Sequence, residues 1–235
     1  MKNAIIIPAR LKSNRLKKKV LIEVNGKTIL QYTLENALLS KLATRVIVAT
    51  EDQDIKRHVD NLGLKVDCIK TPQFNNGTDR VRHIAKEYLG DYDKIINMQA
   101  DEPLFKASSI DQLFNEINRD TSITSAYSFI DNELDYDSES VVKVVMNVFD
   151  MALYFSRSPI PFGGYTQSFR HIGIYGFNRE VLIDLPISSN YQKAENLEQL
   201  CWLENGYNIK MIRINYPTIG IDVMDDIAEF KSLLG

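Results

Sequence analysis

Residues 4–19, AIIIPARLKSNRLKKK, decide the fold, because they join an apolar strand directly to a strongly basic loop. The run from Ala4 to Ile7 is short, apolar and mostly β-branched, which is the pattern of a buried parallel strand. Pro8 ends this run. Six cationic residues then follow within ten positions, namely Arg10, Lys12, Arg15, Lys17, Lys18 and Lys19.

This concentration of positive charge predicts an anion site. Cations on one loop repel each other unless an anion lies among them, and ligands of open α/β sheets bind at the carboxyl ends of the strands. The phosphate-binding candidates are Arg10, Arg15 and Lys19, since their spacing lets them reach different phosphate oxygens. The alternative is an idle, solvated surface loop. We favour a site of triphosphate size.

Composition limits the class of protein. The 235 residues are 44% hydrophobic with a formal net charge of -3, so the positive charge is focused on one loop and a nucleic-acid partner is disfavoured. No apolar run is long enough to cross a bilayer, and no signal peptide is predicted. Cys68 and Cys201 lie far apart, which disfavours a zinc site or a disulfide framework and favours the cytoplasm.

Strand and helix patterns alternate in the first half, which predicts βαβ units. Asn25-Gly26 predicts a tight turn. The predicted helices of this half span 28–40, 52–62 with an acidic cap at Asp52, and 78–88, between strands at 45–50, 65–69 and 94–98. The second half predicts strands at 123–130, 141–148, 171–177 and 209–214, with helices at 194–204 and 223–234. The whole is expected to be one domain, residues 1–235, of the α/β class with a central mixed, mostly parallel sheet.

Two carboxylates are candidates for Mg²⁺ ligands. Neither a P-loop nor a GxGxxG motif occurs, so side-chain cations and loop amides must hold the phosphates. Asp101 follows a predicted strand, where a Mg²⁺ ligand would meet the phosphates, although Asp-Glu-Pro is also a plausible turn. Asp222 precedes the last helix, and on local sequence alone an N-cap is the favoured role.

Other polar segments are open to two interpretations. Residues 75–80, NNGTDR, form a turn and cap, while asparagine side chains can also read a base edge and Arg80 can pair with a neighbouring acid. Arg157 and His171 suggest an acid-binding pocket, with Tyr175 on the strand face of His171. Helical spacing places Glu195, Glu198 and Gln199 on one face, a common solvated pattern.

The order of the motifs resembles the 3-deoxy-manno-octulosonate cytidylyltransferases, the CMP-KDO synthetases. The matching segments are IPAR, NGTDR, QADEP, VVKVV, ALYFSR, RHIGIYG, LEQL and GID. They extend from residue 5 to about residue 227. Single motifs are weak, whereas this many in one order are specific.

The resemblance implies a Rossmann-like nucleotide-diphospho-sugar transferase fold, a homodimer, and a role in lipopolysaccharide or surface-polysaccharide synthesis. It implies that CTP and a sugar acid react, with Mg²⁺, to CMP-sugar and pyrophosphate. The triphosphate would be held by Arg10, Arg15 and Lys19, the cytidine side by Asn75, Asn76, Gly77, Arg80 and Gln99, and Mg²⁺ by Asp101 and Asp222. The catalytic set would be Arg10, Lys19, Asp101 and Asp222, and the sugar pocket Gln99, Arg157, His171, Tyr175, Glu198 and Gln199.

Several positions depart from the family pattern. Lys17 and Lys18 replace Pro-Gly, Cys201 replaces an arginine, and the segment 161–171 is short. The sugar therefore stays open between KDO, its 8-amino analogue and another 3-deoxy-ulosonic acid. The alternatives are a transferase of the same fold acting on another acid sugar or a phosphorylated substrate, and a catalytically silent nucleotide-binding protein.

Overall fold

The structure is a computed structural model that describes residues 1–12 and 16–234. It divides into two compact units, one formed by residues 1–114 and 216–235 and the other by residues 115–215. None of the helices in the described ranges is long and apolar enough to cross a membrane.

Helices and strands alternate in the first half of the chain, as predicted, whereas the helices 107–116, 133–137 and 179–184 and the strand 152–156 are not predicted. The first part contains β1 (Asn3–Pro8), β2 (Glu23–Val24), β3 (Lys27–Thr28), α1 (Ile29–Leu38), β4 (Arg45–Thr50), α2 (Gln53–Asn61), β5 (Asp67–Lys70), α3 (Gly77–Tyr88), β6 (Lys94–Asn97) and α4 (Ala107–Glu116). The second part contains β7 (Ile123–Phe129), α5 (Glu133–Asp137), β8 (Lys143–Met146), β9 (Ala152–Ser156), β10 (Phe169–Asn178), α6 (Arg179–Asp184), α7 (Asn190–Glu195), α8 (Glu198–Glu204) and β11 (Ile209–Arg213). The helix α9 (Met224–Leu233) returns to the first unit.

The first unit has a parallel sheet with β1 at its centre. Strand β1 pairs in parallel with β4 on one side and with β6 on the other, and β5 pairs in parallel with β4. In this register Ile5 lies opposite Val46 and Ile96, and the side chains of Ile5, Ile6 and Ile7 are fully buried. The apolar run that opens the sequence is therefore a buried parallel strand, as predicted, and its carboxyl end leads into the basic loop.

The hairpin β2–β3 and the last helix close the first unit. Asn25 and Gly26 both have positive φ, 51° and 81°, which is the backbone of the tight turn predicted there. Val24 and Ile29 pack with Phe230 of α9 in one buried cluster that also contains Ile219 and Ile221. This packing fixes the segment 219–222 against the hairpin.

The second unit is mixed, as predicted. Strand β10 pairs antiparallel with β7 and β8, β8 pairs antiparallel with β9, and β11 runs parallel to β7. The pairing of β10 with β7 shifts register between Ile172 and Tyr175. The α/β class with mixed, mostly parallel strands is thereby confirmed.

The predicted helix 194–204 is wrong, because the chain forms two short helices there. Helix α7 ends at Glu195, and Asn196 takes a left-handed conformation with φ 53° before α8 begins at Glu198. Asparagine tolerates this conformation better than most residues. Glu195 therefore does not share a helix face with Glu198 and Gln199.

Candidate active site

Two side chains fasten the start of the basic loop. The Nη1 of Arg80 donates to the carbonyl oxygen of Ala9 at 2.8 Å, and Oδ2 of Asp52 accepts from the backbone N–H of Leu11 at 2.7 Å. Asp52 stands at the N-cap position of α2, yet its side chain makes no cap hydrogen bond to the helix. The predicted capping role is wrong, and the carboxylate holds the loop instead.

Two of the three phosphate-binding candidates of this loop lie within the described residues, and these two differ in exposure. Arg10 is exposed, and Arg15 lies outside the described residues. Lys19 begins a 3₁₀ turn, Lys19–Leu21, directly after Lys18, whose φ is 53°. The side chain of Lys19 is only 14% exposed, so its ammonium needs partners within the protein.

Lys19 finds these partners in the two carboxylates that the sequence proposes for Mg²⁺. Its Nζ forms ion pairs with Oδ2 of Asp101 and, at 2.7 Å, with Oδ1 of Asp222. The backbone N–H of Ile221 donates to the carbonyl oxygen of Asp101 at 3.0 Å, which joins the two carboxylate-bearing segments. Burial alone would lower the pKa of Lys19, but the two carboxylates outweigh it and raise that pKa.

The N-cap interpretation of Asp222 is wrong. Helix α9 begins at Met224, and the Oδ2 of Asp226 accepts from the backbone N–H groups of Asp222 (2.6 Å) and Val223 (2.8 Å). Asp226 thus satisfies the free amides at the start of the helix. The carboxylate of Asp222 is directed to Lys19.

Asp101 and Asp222 fit a magnesium ion in the chemistry of their donors. Both carboxylate oxygens contact a single nitrogen, so they lie close enough together to share one small cation. Mg²⁺ takes one or two carboxylates and completes its shell with substrate phosphates and water. Within residues 1–12 and 16–234, no cluster of three or more His, Cys, Asp or Glu side chains is placed to hold a metal.

The start of α3 brings together several nucleotide-binding candidates. The Oδ1 of Asn76 accepts from the backbone N–H of Asp79 at 2.7 Å, so Asn76 is the predicted cap, while Asn75 is exposed. A Cβ atom on Gly77 would lie 3.2 Å from Cγ of Pro8 and 4.0 Å from Oε1 of Gln99. Glycine at this position therefore allows the helix start to approach the end of β1.

Arg80 is buried and paired with an acid, which is one of the two roles left open by the sequence. Its Nη2 forms an ion pair with Glu51, and its side chain is 3% exposed. Burial lowers the pKa of Arg80, and the nearby charge of Arg10 lowers it further, although a guanidinium stays protonated at neutral pH. The geometry assigns Arg80 a role in holding the loop.

Four side chains of the second unit form a continuous chain of hydrogen bonds, namely those of Tyr175, Gln199, His171 and Ser125. The hydroxyl of Tyr175 donates to Oε1 of Gln199 at 3.0 Å, and Nε2 of Gln199 lies 3.5 Å from Nδ1 of His171. Because an amide nitrogen only donates, Nδ1 accepts and the proton is on Nε2. That Nε2 lies 2.8 Å from Oγ of Ser125, whose hydroxyl donates to the carbonyl of Ile174 at 2.8 Å.

The imidazole of His171 is uncharged in this series of hydrogen bonds. Burial lowers its pKa to about 3, and its ring packs 4.8 Å from that of Phe155 and 5.5 Å from that of Tyr175. The pKa of Tyr175 is raised well above its ordinary value, first by burial and then by the charge of Glu198. His171, Tyr175 and Gln199 therefore form a neutral polar cluster.

Arg157 is the cation among the residues predicted to bind the sugar acid. Its Nε donates to the carbonyl of Glu195 at 3.1 Å and its Nη1 to the carbonyl of Glu139 at 2.8 Å. Both partners are neutral carbonyls, and among the residues that the structure describes no carboxylate pairs with this guanidinium. Its Nη2 group has no hydrogen bond to the part of the chain that the structure describes, and a guanidinium can match a carboxylate in two parallel hydrogen bonds.

The sequence analysis misses Ser125 and Lys143 and assigns Glu195 the wrong neighbours. Ser125 sits within a strand with no distinguishing pattern, and Lys143 reads as part of an apolar strand. The helical spacing places Glu195 on one face with Glu198, but in the structure its carboxylate accepts from Oγ of Ser156 at 2.7 Å and from the backbone N–H of Arg157 at 2.9 Å. For Glu195 the sequence contains one hint, Asn196, because asparagine often occurs where a helix ends.

Comparison with known proteins identifies the family. The cytidylyltransferase family model matches residues 4–212. A 3-deoxy-manno-octulosonate cytidylyltransferase of Chlorobium phaeobacteroides is 37% identical over 245 residues, covering 100% of this chain and 98% of the relative. This chain belongs to the 3-deoxy-manno-octulosonate cytidylyltransferase family. As a cytidylyltransferase, it is a nucleotidyltransferase enzyme.

Solved structures agree with this membership. A CMP:2-keto-3-deoxy-manno-octonic acid synthetase complexed with CTP superposes with a TM-score of 0.91 at 32% identity, covering 100% of this chain and 98% of that one. This likeness confirms the predicted nucleotide-diphospho-sugar transferase fold. A 4-diphosphocytidyl-2C-methyl-D-erythritol synthase of Anaerococcus prevotii, at 12% identity and a TM-score of 0.68 over 99% of this chain and 96% of that one, shares the fold alone.

We predict that His171 makes stability depend on pH. Its pKa is depressed to about 3 in the folded chain, so below pH 6.5 the unfolded chain binds a proton that the folded chain does not. Stability is then lost as the pH falls, by about 2 kcal/mol between pH 7 and pH 5. Urea unfolding at both pH values should show a decline smaller by about this amount in His171→Gln. An unchanged decline would contradict the buried, neutral state.

Proposed function

We propose that this enzyme transfers the cytidylyl group of CTP to a 3-deoxy-ulosonic sugar acid, KDO or a close analogue, and releases pyrophosphate. The product would be a CMP-sugar for lipopolysaccharide or surface-polysaccharide synthesis. The observation that carries the substrate class is the guanidinium of Arg157, which is held by neutral carbonyls and keeps its charge for a carboxylate. The full-length relatives named for this reaction support the proposal.

The chemistry is a displacement at phosphorus. The anomeric hydroxyl oxygen of the sugar forms a bond to the α-phosphorus of CTP, the bond from that phosphorus to the bridging oxygen of the β-phosphate breaks, and the hydroxyl proton is released. Both reactants are anions, so neutralising charge is the main requirement, and no protein nucleophile is needed. Arg10, Arg15 and Lys19 would hold the triphosphate.

The carboxylates of Asp101 and Asp222 would hold Mg²⁺. A bound Mg²⁺ neutralises and orients phosphate oxygens. Lys19 keeps the two carboxylates together by its ion pairs. The start of α3, with Asn75, Asn76 and Gly77, and the neighbouring Gln99 would contact the nucleotide, while Arg80 would support the basic loop.

The sugar acid would lie against the polar groups of the second unit. Arg157 would bind its carboxylate, and the neutral groups of His171, Tyr175 and Gln199 would contact its hydroxyls, with Glu198 as a further acceptor. Gln99 would border the reacting atoms.

We also propose that residues 1–235 act as one cytidylyltransferase domain and that the enzyme works in the cytoplasm. Its two cysteines are free, which is consistent with a reducing compartment.

The proposed reaction is tested by pyrophosphate release. CTP and Mg²⁺ are supplied with KDO, its 8-amino analogue, other ulosonic acids, and a panel of sugar and polyol phosphates. Release with an ulosonic acid is the expected result. Pyrophosphate release only with a sugar or polyol phosphate would show that the enzyme transfers the cytidylyl group to a phosphorylated substrate. Binding of CTP without turnover of any substrate would favour a catalytically silent nucleotide-binding protein.

We predict that Asp101→Asn abolishes turnover while the fold stays intact, because it removes a charge from the proposed metal pair. Pyrophosphate release and thermal unfolding measure the two effects. Addition of Mg²⁺ should also raise the unfolding temperature of the wild type more than that of Asp101→Asn, since an ion that binds the folded state stabilises it. Near-normal turnover by the variant would remove Asp101 as a metal ligand.

A second prediction concerns Arg157. Arg157→Ala should raise the KM for the sugar acid by about tenfold or more and leave the KM for CTP nearly unchanged, because one hydrogen-bonded charge contact to the carboxylate is lost. Arg170→Ala is a matched control, since Arg170 is already paired with Asp135 at 2.7 Å. Equal rises in both KM values would argue against a dedicated carboxylate contact.

We also propose a homodimer, on the evidence of apolar side chains exposed around the β8–β9 hairpin. Val148, Phe149 and Leu153 are 91%, 71% and 59% exposed, and such patches mark interaction sites. Light scattering should give twice the chain mass of 26.9 kDa for the wild type, and the monomer mass for Phe149→Ser at low concentration. A monomeric wild type would contradict this.

A further inference from the structure

Lys143 contacts the backbone of Arg157, the residue proposed to bind the carboxylate of the substrate, but has no role in the proposed reaction. The side chain of Lys143, on β8, is completely buried, and burying an ammonium is costly unless its three donors are satisfied. Its Nζ donates to three carbonyl oxygens, those of Ser138 (2.9 Å), Val141 (2.8 Å) and Arg157 (2.5 Å). All three donors of the ammonium thus have a partner.

The same carbonyl-bearing segments also hold the guanidinium of Arg157. Lys143 binds both ends of the loop 138–141, and the carbonyl of Glu139 within that loop accepts from Nη1 of Arg157. Lys143 also binds the carbonyl of Arg157 itself. The ammonium therefore fixes the backbone of Arg157 and one of the two acceptors of its side chain.

The second acceptor of the Arg157 side chain is the carbonyl of Glu195, a residue that also binds the Arg157 backbone. Glu195 accepts from the backbone N–H of Arg157 through Oε2, and its own carbonyl accepts from Nε of Arg157. Its Oε1 accepts from Ser156. Lys143 and Glu195 together hold the main chain of Arg157 on both sides, and they do so without forming a salt bridge to its guanidinium.

We propose that Lys143 is a positioning residue for Arg157, and that it sets the affinity of the enzyme for the carboxylate of its sugar substrate. This inference rests on the proposed function. Loss of the ammonium removes one donor from each of three carbonyls, of which that of Ser138 keeps a second donor, the backbone N–H of Val141 at 3.1 Å, so the loop 138–141 and the guanidinium are expected to shift together. A bidentate carboxylate contact depends on sub-ångström placement of the arginine, and a small displacement weakens it strongly.

The test is a double-mutant cycle of Lys143→Met and Arg157→Ala, read as separate KM values for the sugar acid and for CTP. Lys143→Met is expected to raise the KM for KDO about tenfold and to leave the KM for CTP within about twofold. In the Arg157→Ala background the same change is expected to have almost no further effect. Lys143→Arg, which keeps a cationic donor, should restore part of the loss.

A matched control separates this role from general damage. Lys94 also donates to a backbone carbonyl, that of Phe114, at 2.8 Å, so Lys94→Met removes a comparable contact elsewhere. This control should leave the KM for KDO unchanged. Where Lys143→Met fails to fold, Glu195→Gln replaces it, because the amide loses one of the two acceptors that hold Ser156 and Arg157, and the same selective rise is expected.

The outcomes separate the inference from the proposed function. Equal rises in both KM values, no rise at all, or an undiminished rise in the Arg157→Ala background would overturn the positioning role while the wild type still uses KDO. A wild type that releases no pyrophosphate with any sugar acid would overturn the proposed function, and the inference with it.

Discussion

The ion pairs of Lys19 with Asp101 and Asp222 hold together parts of the first unit that are far apart in the sequence, since Lys19 and Asp222 are separated by 203 positions. Two neighbouring carboxylates repel each other, so this point needs a cation, and the ammonium meets that need in the protein alone. The buried packing of Ile221 and Phe230 brings the second carboxylate to the first. A site that requires a cation and lies beside a basic loop is suited to a metal-bound triphosphate.

A different use of charge distinguishes the arginines of the chain. Arg80 and Arg170 each pair with a carboxylate, so their charge is neutralised within the protein. Arg157 is held by neutral carbonyls, and His171 of the same unit stays neutral because burial lowers its pKa to about 3. Arg157 therefore keeps a positive charge that no carboxylate of the described residues neutralises by an ion pair. This is the arrangement that an acid sugar would require.

The sequence predicts the features that depend on local pattern and misses those that depend on tertiary contacts. The apolar run 4–7 and the turn at Asn25 are correct, because burial and positive φ leave clear signatures in the residues. The continuous helix 194–204 is wrong because the left-handed Asn196 interrupts a pattern that otherwise reads as helical. Asp222 has the local pattern of a cap, but Asp226 accepts the backbone N–H groups there and the carboxylate of Asp222 contacts Lys19. The buried lysine of a VVKVV strand gives no signal of its three carbonyl partners.

The central claim, that the enzyme recognises the carboxylate of its sugar substrate through Arg157, is tested most directly by removing that charge from the substrate. The kcat/KM of the wild type is measured with KDO and with its methyl ester, at saturating CTP and Mg²⁺. The account predicts a kcat/KM lower by about thirtyfold or more for the ester, because the charged hydrogen bonds to the guanidinium are lost. Equal kcat/KM values for acid and ester would contradict it.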